Sequence, residues 1–293
     1  MVGVELTIAH ILRCKLLEAV SLSSKTLGVS EIEDLKLEAI PLRAVKGGRH
    51  LVYVSALALK LANVWKQPAE EVAGAIAAHL SCFDLSFDRF IDPALQNFTV
   101  KVVAPNLIHL QLNDRAIAAW LQYFAQTPPR VFRTPNPPSP NSKLFYVQYA
   151  HARCCSLLRL ADRYGAIALN SPSPEISPNF FSLKSPHPIP WLDSDQKLRL
   201  LHPAECSLIT QVLTLPDDLY KGAVTTHPVD WEKSAHTLSR VFLNFYSQCR
   251  IWGEVKTENP QLAQARLGLI MATQPLLRSL LEDFLGVLAP LEL

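Results

Sequence analysis

The pattern of apolar and polar positions in the first 126 residues predicts helices around a single β-hairpin. Apolar residues recur at helical spacing in four segments: 4–20, 51–65, 67–80 and 115–124. Two runs of strand-like composition, 98–103 and 107–112, predict strands, and Pro105 and Asn106 mark a turn between them. We therefore expect a small sheet with helices on one face.

After residue 143 the pattern is almost entirely helical. Apolar positions predict four helices: 143–169, 203–215, 231–252 and 261–288. A Ser- and Pro-rich stretch at 170–195 predicts a long loop. Pro275 should kink or interrupt the last helix, because it lacks a backbone donor and crowds the preceding turn. The predicted fold class is mostly α, with a C-terminal α-helical bundle and a small α+β N-terminal domain.

A proline-rich segment separates the two patterns. Six prolines fall within the sixteen residues 127–142, and such a segment sustains neither a helix nor a central strand. It is typical of an extended linker. We therefore expect two domains, 1–126 and 143–293, joined by this linker.

Composition favours a well-packed cytoplasmic protein, with 49% apolar and 18% charged residues. No apolar run reaches the roughly 18 residues that suggest a membrane span. Charged residues such as Arg13 and Lys15 interrupt the first apolar stretch, which is unlike a signal peptide. The six cysteines form no C-x-x-C pair, so we predict neither a metal site nor a bound cofactor.

Positive charge is concentrated near the start of the helical part. The net charge of +2 does not by itself indicate nucleic-acid binding, but residues 127–165 contain six basic residues and one acid. On one helix, Gln148, Arg159 and Arg163 fall within about 60° of one another, with Arg153 about 80° further round. Such a stripe suits phosphates, because guanidinium groups offer paired donors and each contact releases counterions.

Several motifs in this part resemble arginyl-tRNA synthetases. Residues 146–153, Tyr-Val-Gln-Tyr-Ala-His-Ala-Arg, resemble the stretch that opens the synthetase's anticodon-binding domain. Residues 239–250 contain a similar Phe-x-x-Phe-Tyr-x-x-Cys-Arg pattern, and 265–269 with 285–290 resemble the closing helix and its Leu-Gly-Ile-x-Ala-Pro tail. Residues 143–293 therefore resemble the DALR anticodon-binding domain.

The first part resembles the family's N-terminal appended domain more weakly. Residues 67–77 are similar to part of its helix pair, and 102–114 to a strand that touches the D-loop at the tRNA elbow in the family. Three family residues of this strand are replaced here, the last by His109. His109 and Gln111 are the candidates on this strand for contact with the D-loop. An equal alternative is that both are simply exposed and do not contact RNA.

The synthetase's catalytic domain has no counterpart in this sequence. It contains no His-x-Gly-His, Lys-Met-Ser-Lys, P-loop or G-x-G-x-x-G motif. The segment 127–142 occupies the place of that domain and is too short to form a pocket for ATP and arginine. A thiol nucleophile built from His151 with Cys154 or Cys155 would need an orienting group and an oxyanion site, which nothing nearby supplies. We therefore expect no enzyme activity from this chain.

The resemblance and the stripe together indicate nine candidate tRNA-binding residues: Tyr146, Gln148, His151, Arg153, Arg159, Arg163, Tyr246, Arg250 and Trp252. Aromatic rings stack on unpaired bases, and arginines bind phosphates. Structural alternatives remain open: core packing for Tyr146 and Tyr149, a hydrogen-bonded structural role for His151, and an ion pair of Arg159 with Asp162.

Two functions follow as hypotheses. The first is a non-catalytic paralogue of the synthetase that binds the anticodon arm of a tRNA, with arginine tRNA indicated by the resemblance and a tRNA-modifying enzyme as a possible protein partner. The second is an adaptor that keeps the fold but binds a protein instead of RNA. The near-neutral first part and the modest net charge favour the adaptor.

Overall fold

The computed structural model describes seven stretches of the chain: 7–30, 35–45, 50–82, 93–127, 144–170, 181–224 and 229–293. The chain divides into two compact units, Met1–Ile117 and Ala118–Leu293. The predicted linker lies, apart from Thr127, outside the described residues. The boundary between these units falls within the helix Asp114–Gln126 and not at the linker. The division into domains 1–126 and 143–293 therefore stays a prediction.

The first unit combines helices with one four-stranded antiparallel sheet. Its elements are α1 (Ile8–Leu27), β1 (Arg43–Val45), β2 (Val52–Ser55), α2 (Leu57–Trp65), α3 (Ala69–Cys82), β3 (Phe98–Val103), β4 (Leu107–Leu112) and the start of α4 (Asp114–Gln126). The sheet has the order β1-β2-β4-β3. Helix α1 packs against α3, while α2 and α3 pack against the sheet.

The predicted hairpin is confirmed, with Asn106 at φ 76° in its turn, a conformation that Asn tolerates better than most residues. The helix predicted over 115–124 is confirmed too, as α4, and the Asn113 side chain accepts a hydrogen bond from the Ala116 amide at 2.9 Å. The helix predicted over 51–65 is wrong in its first part. Residues Val52–Ser55 form β2 instead and pair with β4, because sheet hydrogen bonding overrides a weak local helical pattern.

The second unit is built mainly from helices. After the remainder of α4 come α5 (Phe145–Arg163), β5 (Ala168–Leu169), β6 (Leu183–Ser185), α6 (Pro203–Val224), α7 (Trp231–Gln248), α8 (Glu254–Glu258), α9 (Pro260–Ser279) and a π-helical turn (Leu280–Phe284). Helices α5 and α6 each pack against both α7 and α9. The predicted fold class, mostly α with a small α+β first part, is confirmed.

Two helices differ from the predictions in that each continues through a proline. The helix predicted to end at residue 215 continues through Pro216 to Val224. Helix α9 also continues through Pro275 and is not interrupted there. Both prolines are buried, so tertiary packing around them outweighs the loss of one backbone hydrogen bond.

A buried ion pair joins α6 to α9. The Glu205 carboxylate accepts from Arg266 Nε at 2.6 Å and from the His202 amide at 2.8 Å. Arg266 also donates to the carbonyl of Arg250, which follows α7. The side chains of Glu205 and Arg266 are only 1% and 12% exposed. One charged pair therefore fixes three parts of the unit to each other.

Candidate nucleic-acid interface

One side of α5 points away from the core and carries four aromatic residues and one arginine. Tyr146 and Tyr149 are 41% and 42% exposed, so neither packs in the core. Phe145, Arg163 and Tyr164 are exposed as well. Tyr164 follows Tyr146 by eighteen residues, about five helical turns, and so lies on the same side. We call these five residues the outer face of α5.

Arg153 lies beside the outer face and is held against α7. Its guanidinium carbon is 4.7 Å from the centroid of the Tyr246 ring, and its Nη2 donates to the Tyr246 hydroxyl. The Tyr246 ring in turn stacks on Phe242, with centroids 6.5 Å apart. The cation and the ring therefore hold each other in place, and both remain half-buried.

Of the residues in the stripe predicted to bind phosphates, Gln148 and Arg159 contact other parts of the protein, whereas Arg163 is exposed to solvent. Gln148 Nε2 donates to the Leu288 carbonyl at 2.9 Å. Arg159 donates to the Leu291 carbonyl at 3.1 Å and forms an ion pair with Glu292 at 2.9 Å. These contacts hold residues 285–293, which we call the closing segment, against α5. Arg163 lies apart from them and is exposed.

The structure corrects the alternative in which Arg159 pairs with Asp162. Asp162 Oδ1 instead accepts from the Leu169 amide at 2.9 Å, which ties the end of α5 to β5. Arg159 turns toward Glu292, a residue that no local spacing could relate to it. The acid that neutralises Arg159 therefore comes from the far end of the unit.

A shallow groove runs beside the ion pair. It has a volume of about 280 Å³ and is lined by Tyr149, Ala152, Arg153, Ser156, Arg159, Glu292 and Leu293. Two arginine side chains and one glutamate side chain border it. An aromatic ring from the outer face forms part of its wall.

His151 is buried and occupies a structural position. Its Nδ1 lies 2.8 Å from the Pro290 carbonyl and its Nε2 lies 2.8 Å from Gln274 Nε2. A neutral imidazole with its proton on Nδ1 satisfies both contacts, donating to the carbonyl and accepting from the amide. Because the side chain is fully buried, the hypothesis of a direct RNA contact through His151 is not supported.

Burial lowers the pKa of His151 below 6.5, partly offset by the Pro290 carbonyl and Glu282, while Arg278 lowers it further. Between its unfolded and folded pKa values the unfolded chain binds more protons, so stability is lost as pH falls below about 6.5. We expect His151→Gln to reduce this loss, measured by urea unfolding at pH 7.5 and 5.5.

The pKa of His10 is also lowered, by burial and by Arg13, so a His10→Gln variant serves as the control for a second titrating group. Each single variant should flatten the pH dependence partially, and the double variant should flatten it more. Equal losses of stability in the wild type and in His151→Gln would contradict the assignment.

The cysteines next to His151 do not form a reactive site. Cys155 Sγ lies 3.8 Å from His151 Nε2, but burial raises the pKa of Cys155 to about 12 and that of Cys154 well above its usual value. Because the thiolate is the nucleophilic form, these thiols are poor nucleophiles near neutral pH.

A second aromatic and basic cluster lies where α5 ends and α8 begins. Trp252 contacts Tyr164 edge to face, with centroids 6.3 Å apart. Lys256 Nζ lies 5.7 Å from the centre of the Tyr164 ring and donates to the Tyr164 carbonyl at 2.9 Å. Arg250 is exposed nearby in sequence. Sequence reasoning missed Tyr164 and Lys256, although the eighteen-residue spacing from Tyr146 was a signal for the first.

Helix α7 adds residues beside the start of α5. The ring of His236 stacks on Tyr146, with centroids 6.4 Å apart and planes inclined by 20°. Arg240, one helical turn further along α7, is exposed. The sequence pattern gave no reason to select either residue, because their position depends on how α7 packs against α5.

In the first unit, His109 and Gln111 are half-buried and alternate on β4 with the buried residues Ile108 and Leu110. His109 lies opposite Lys101 of β3, and Gln111 lies opposite Thr99. This less buried face of the strand is partly open to solvent. It leaves both candidates available, and their role stays a prediction.

We also searched the described ranges for metal sites and membrane-spanning helices. There, no three His, Cys, Asp or Glu side chains are grouped so that they could hold a metal ion. A search of the helices in the same ranges finds none with the length and apolar character needed to cross a membrane.

The fold and the interface define a mostly helical protein whose second unit presents an aromatic and cationic helix face. Residues 147–293 match the family of the DALR anticodon binding domain. Because the match covers half of the length of this chain, the chain belongs to this family. No solved structure matches the chain.

Curated relatives include arginine–tRNA ligases from three bacteria. That of Moorella thermoacetica is 36% identical over 153 residues, or 52% of this chain and 22% of the relative. That of Synechococcus sp. is 33% identical over 150 residues, or 51% and 22%, and that of Heliobacterium modesticaldum is 33% identical over 152 residues, or 52% and 23%. The chain thus spans under a quarter of each relative.

Proposed function

We propose that this chain binds the anticodon arm of a tRNA through the outer face of α5 and the adjoining residues of α7 and α8, without aminoacylating it. The observation that carries this proposal is the exposure of Tyr146 and Tyr149 in a helix whose sequence contains the family's opening motif. Buried tyrosines would have argued for a purely structural helix.

The proposed contacts fall into two chemical classes. The exposed rings of the outer face offer stacking surfaces to unpaired bases, as proteins that bind single-stranded RNA loops commonly do. Arg153, Arg163, Arg250 and Lys256 supply positive charge to the phosphates around them. Arginine tRNA is the proposed partner because the similar curated proteins are arginine–tRNA ligases.

The proposal that the chain does not aminoacylate tRNA rests on the short segment between its two parts. Only residues 127–146 separate the part that resembles the appended domain from the family match at 147–293, and the 293 residues contain no His-x-Gly-His or Lys-Met-Ser-Lys motif. We further propose that 1–126 and 143–293 act as separate domains. In the first, β4 with His109 and Gln111 would reach the tRNA elbow.

The central test reverses one exposed charge. Arg163→Glu should weaken tRNA binding by about tenfold or more, since a hydrogen bond to a charged group contributes about 1.5 kcal/mol or more. It should also reduce the slope of log affinity against log salt by about one. Fluorescence anisotropy with labelled arginine tRNA, at several salt concentrations, measures both effects.

Arg115→Glu is the matched control, because it makes the same charge change at an exposed position of α4. It should alter binding much less than Arg163→Glu. Equal effects of the two substitutions would point to a general dependence on net charge, and no tRNA binding by the wild type at low salt would refute the proposal.

A protein-binding adaptor is the second candidate, and the ion pair of Arg159 with Glu292 favours it. This pair removes one of the predicted phosphate contacts, and Phe145 leaves an apolar ring in solvent. A tRNA-modifying enzyme is one class of partner that such a surface could recruit. Pull-down with and without ribonuclease distinguishes the two: partners that survive ribonuclease support the adaptor.

A further inference from the structure

The ion pair between Arg159 and Glu292 lies on the edge of the proposed RNA surface. Its oxygen-to-nitrogen distance is 2.9 Å, and the two side chains are 35% and 82% exposed. Both residues line the groove that Tyr149 and Arg153 also line. A carboxylate therefore pairs with an arginine that borders this groove.

A phosphodiester and a carboxylate present the same chemistry to a guanidinium group. Each offers anionic oxygens that accept its N–H donors, and arginine binds both. The groove contains a second guanidinium group, that of Arg153, and the hydroxyl of Ser156 at its wall. These donors line the same groove as the Glu292 carboxylate, so an RNA phosphate that replaced it would lie in a groove with further donors.

We propose that Glu292 is an intramolecular competitor of RNA: its carboxylate occupies a phosphate site on Arg159, and tRNA binding exchanges one anion for the other. This inference rests on the proposed function of the outer face of α5. It adds a regulatory element to that surface, since the affinity for RNA then depends on how firmly the closing segment holds its acid in place.

The closing segment is anchored in a way that permits this exchange. Gln148 holds the Leu288 carbonyl and the buried His151 holds the Pro290 carbonyl. Both anchors precede Glu292, so its side chain can leave Arg159 while the segment up to Pro290 stays bound. An exposed ion pair shifts such an equilibrium by no more than about fivefold, which a multivalent RNA contact overcomes.

The test is a double-mutant cycle in tRNA binding. In the wild-type background, Glu292→Gln should raise the affinity for arginine tRNA about two- to fivefold, since Arg159 is released for a phosphate. The slope of log affinity against log salt should steepen by up to about one, because no carboxylate is left to recapture a cation. In the Arg159→Gln background the same substitution should have almost no effect.

Glu71→Gln, at an exposed position of α3, controls for the loss of a negative charge elsewhere on the protein. Thermal unfolding of every variant checks that the fold is retained. A similar gain from Glu292→Gln in both backgrounds overturns the inference, because it indicates a general electrostatic effect. So does the absence of any gain.

Failure of the inference is distinguishable from failure of the proposed function. If the wild type binds tRNA and Arg163→Glu weakens it while Glu292→Gln changes nothing, the RNA surface stands and the competition does not. If neither the wild type nor Glu292→Gln binds tRNA at low salt, both are overturned.

Discussion

Replacement of both Tyr146 and Tyr149 by alanine is expected to weaken tRNA binding by at least about tenfold, since each aromatic ring that stacks on a base contributes about 1–3 kcal/mol. The loss should leave the slope of log affinity against log salt unchanged, because no charge is removed. Both side chains are about two-fifths exposed, so the fold should survive. Anisotropy titrations with arginine tRNA measure the affinity and its salt dependence together.

The matched control is the double Tyr→Phe variant at the same positions, which keeps both rings and removes only the hydroxyls. It should bind nearly as well as the wild type if stacking is the source of affinity. A large loss in the phenylalanine variant would assign the energy to hydrogen bonding. Full affinity in the alanine variant would remove the outer face of α5 from the proposed interface.

The largest effect on stability is expected from Arg266→Met. This substitution leaves the Glu205 carboxylate buried without its cation, and breaking a buried pair in this way typically costs about 3–5 kcal/mol. Helix α9 would also lose its hydrogen bond to the Arg250 carbonyl. Urea unfolding followed by circular dichroism gives the change in free energy.

The double variant Glu205→Gln with Arg266→Met tests the cause. It leaves no unpaired charge in the core, and the glutamine amide oxygen still accepts from the His202 amide. We expect it to recover a large part of the lost stability, as replaced buried ion pairs often do. If the double variant is no more stable than Arg266→Met, lost packing by the arginine side chain accounts for the effect instead.

The sequence predicted those elements whose patterns are long and local. The hairpin of β3 and β4, and helix α3, follow from alternation and from helical spacing over many residues. Strand β1 has three residues, and β2 has four that run almost directly into α2. Segments this short carry too little periodicity to identify. They become strands because β4 offers backbone partners to β2, and β2 in turn offers them to β1.

The candidate site was predictable in its position but not in its contacts. The motif at 146–153 correctly identified the helix that presents the aromatic face. The side chains of this helix, however, point in different directions around its axis. Tyr149 faces solvent, while His151 is buried and contacts the Pro290 carbonyl. That division depends on where α7, α9 and the closing segment pack. Helical spacing places residues relative to each other and leaves open which side is covered.

The contact of Glu292 with Arg159 spans 133 positions of the chain, and this separation has a consequence for biosynthesis. At ribosomal rates of about 5–20 residues per second, the acid is made roughly ten seconds after the arginine it neutralises. Until then the nascent α5 carries Gln148, His151 and Arg159 without their final partners. The contacts that cover this side of α5 are therefore completed only after the closing segment has been made, and until then Arg159 is open to polyanions.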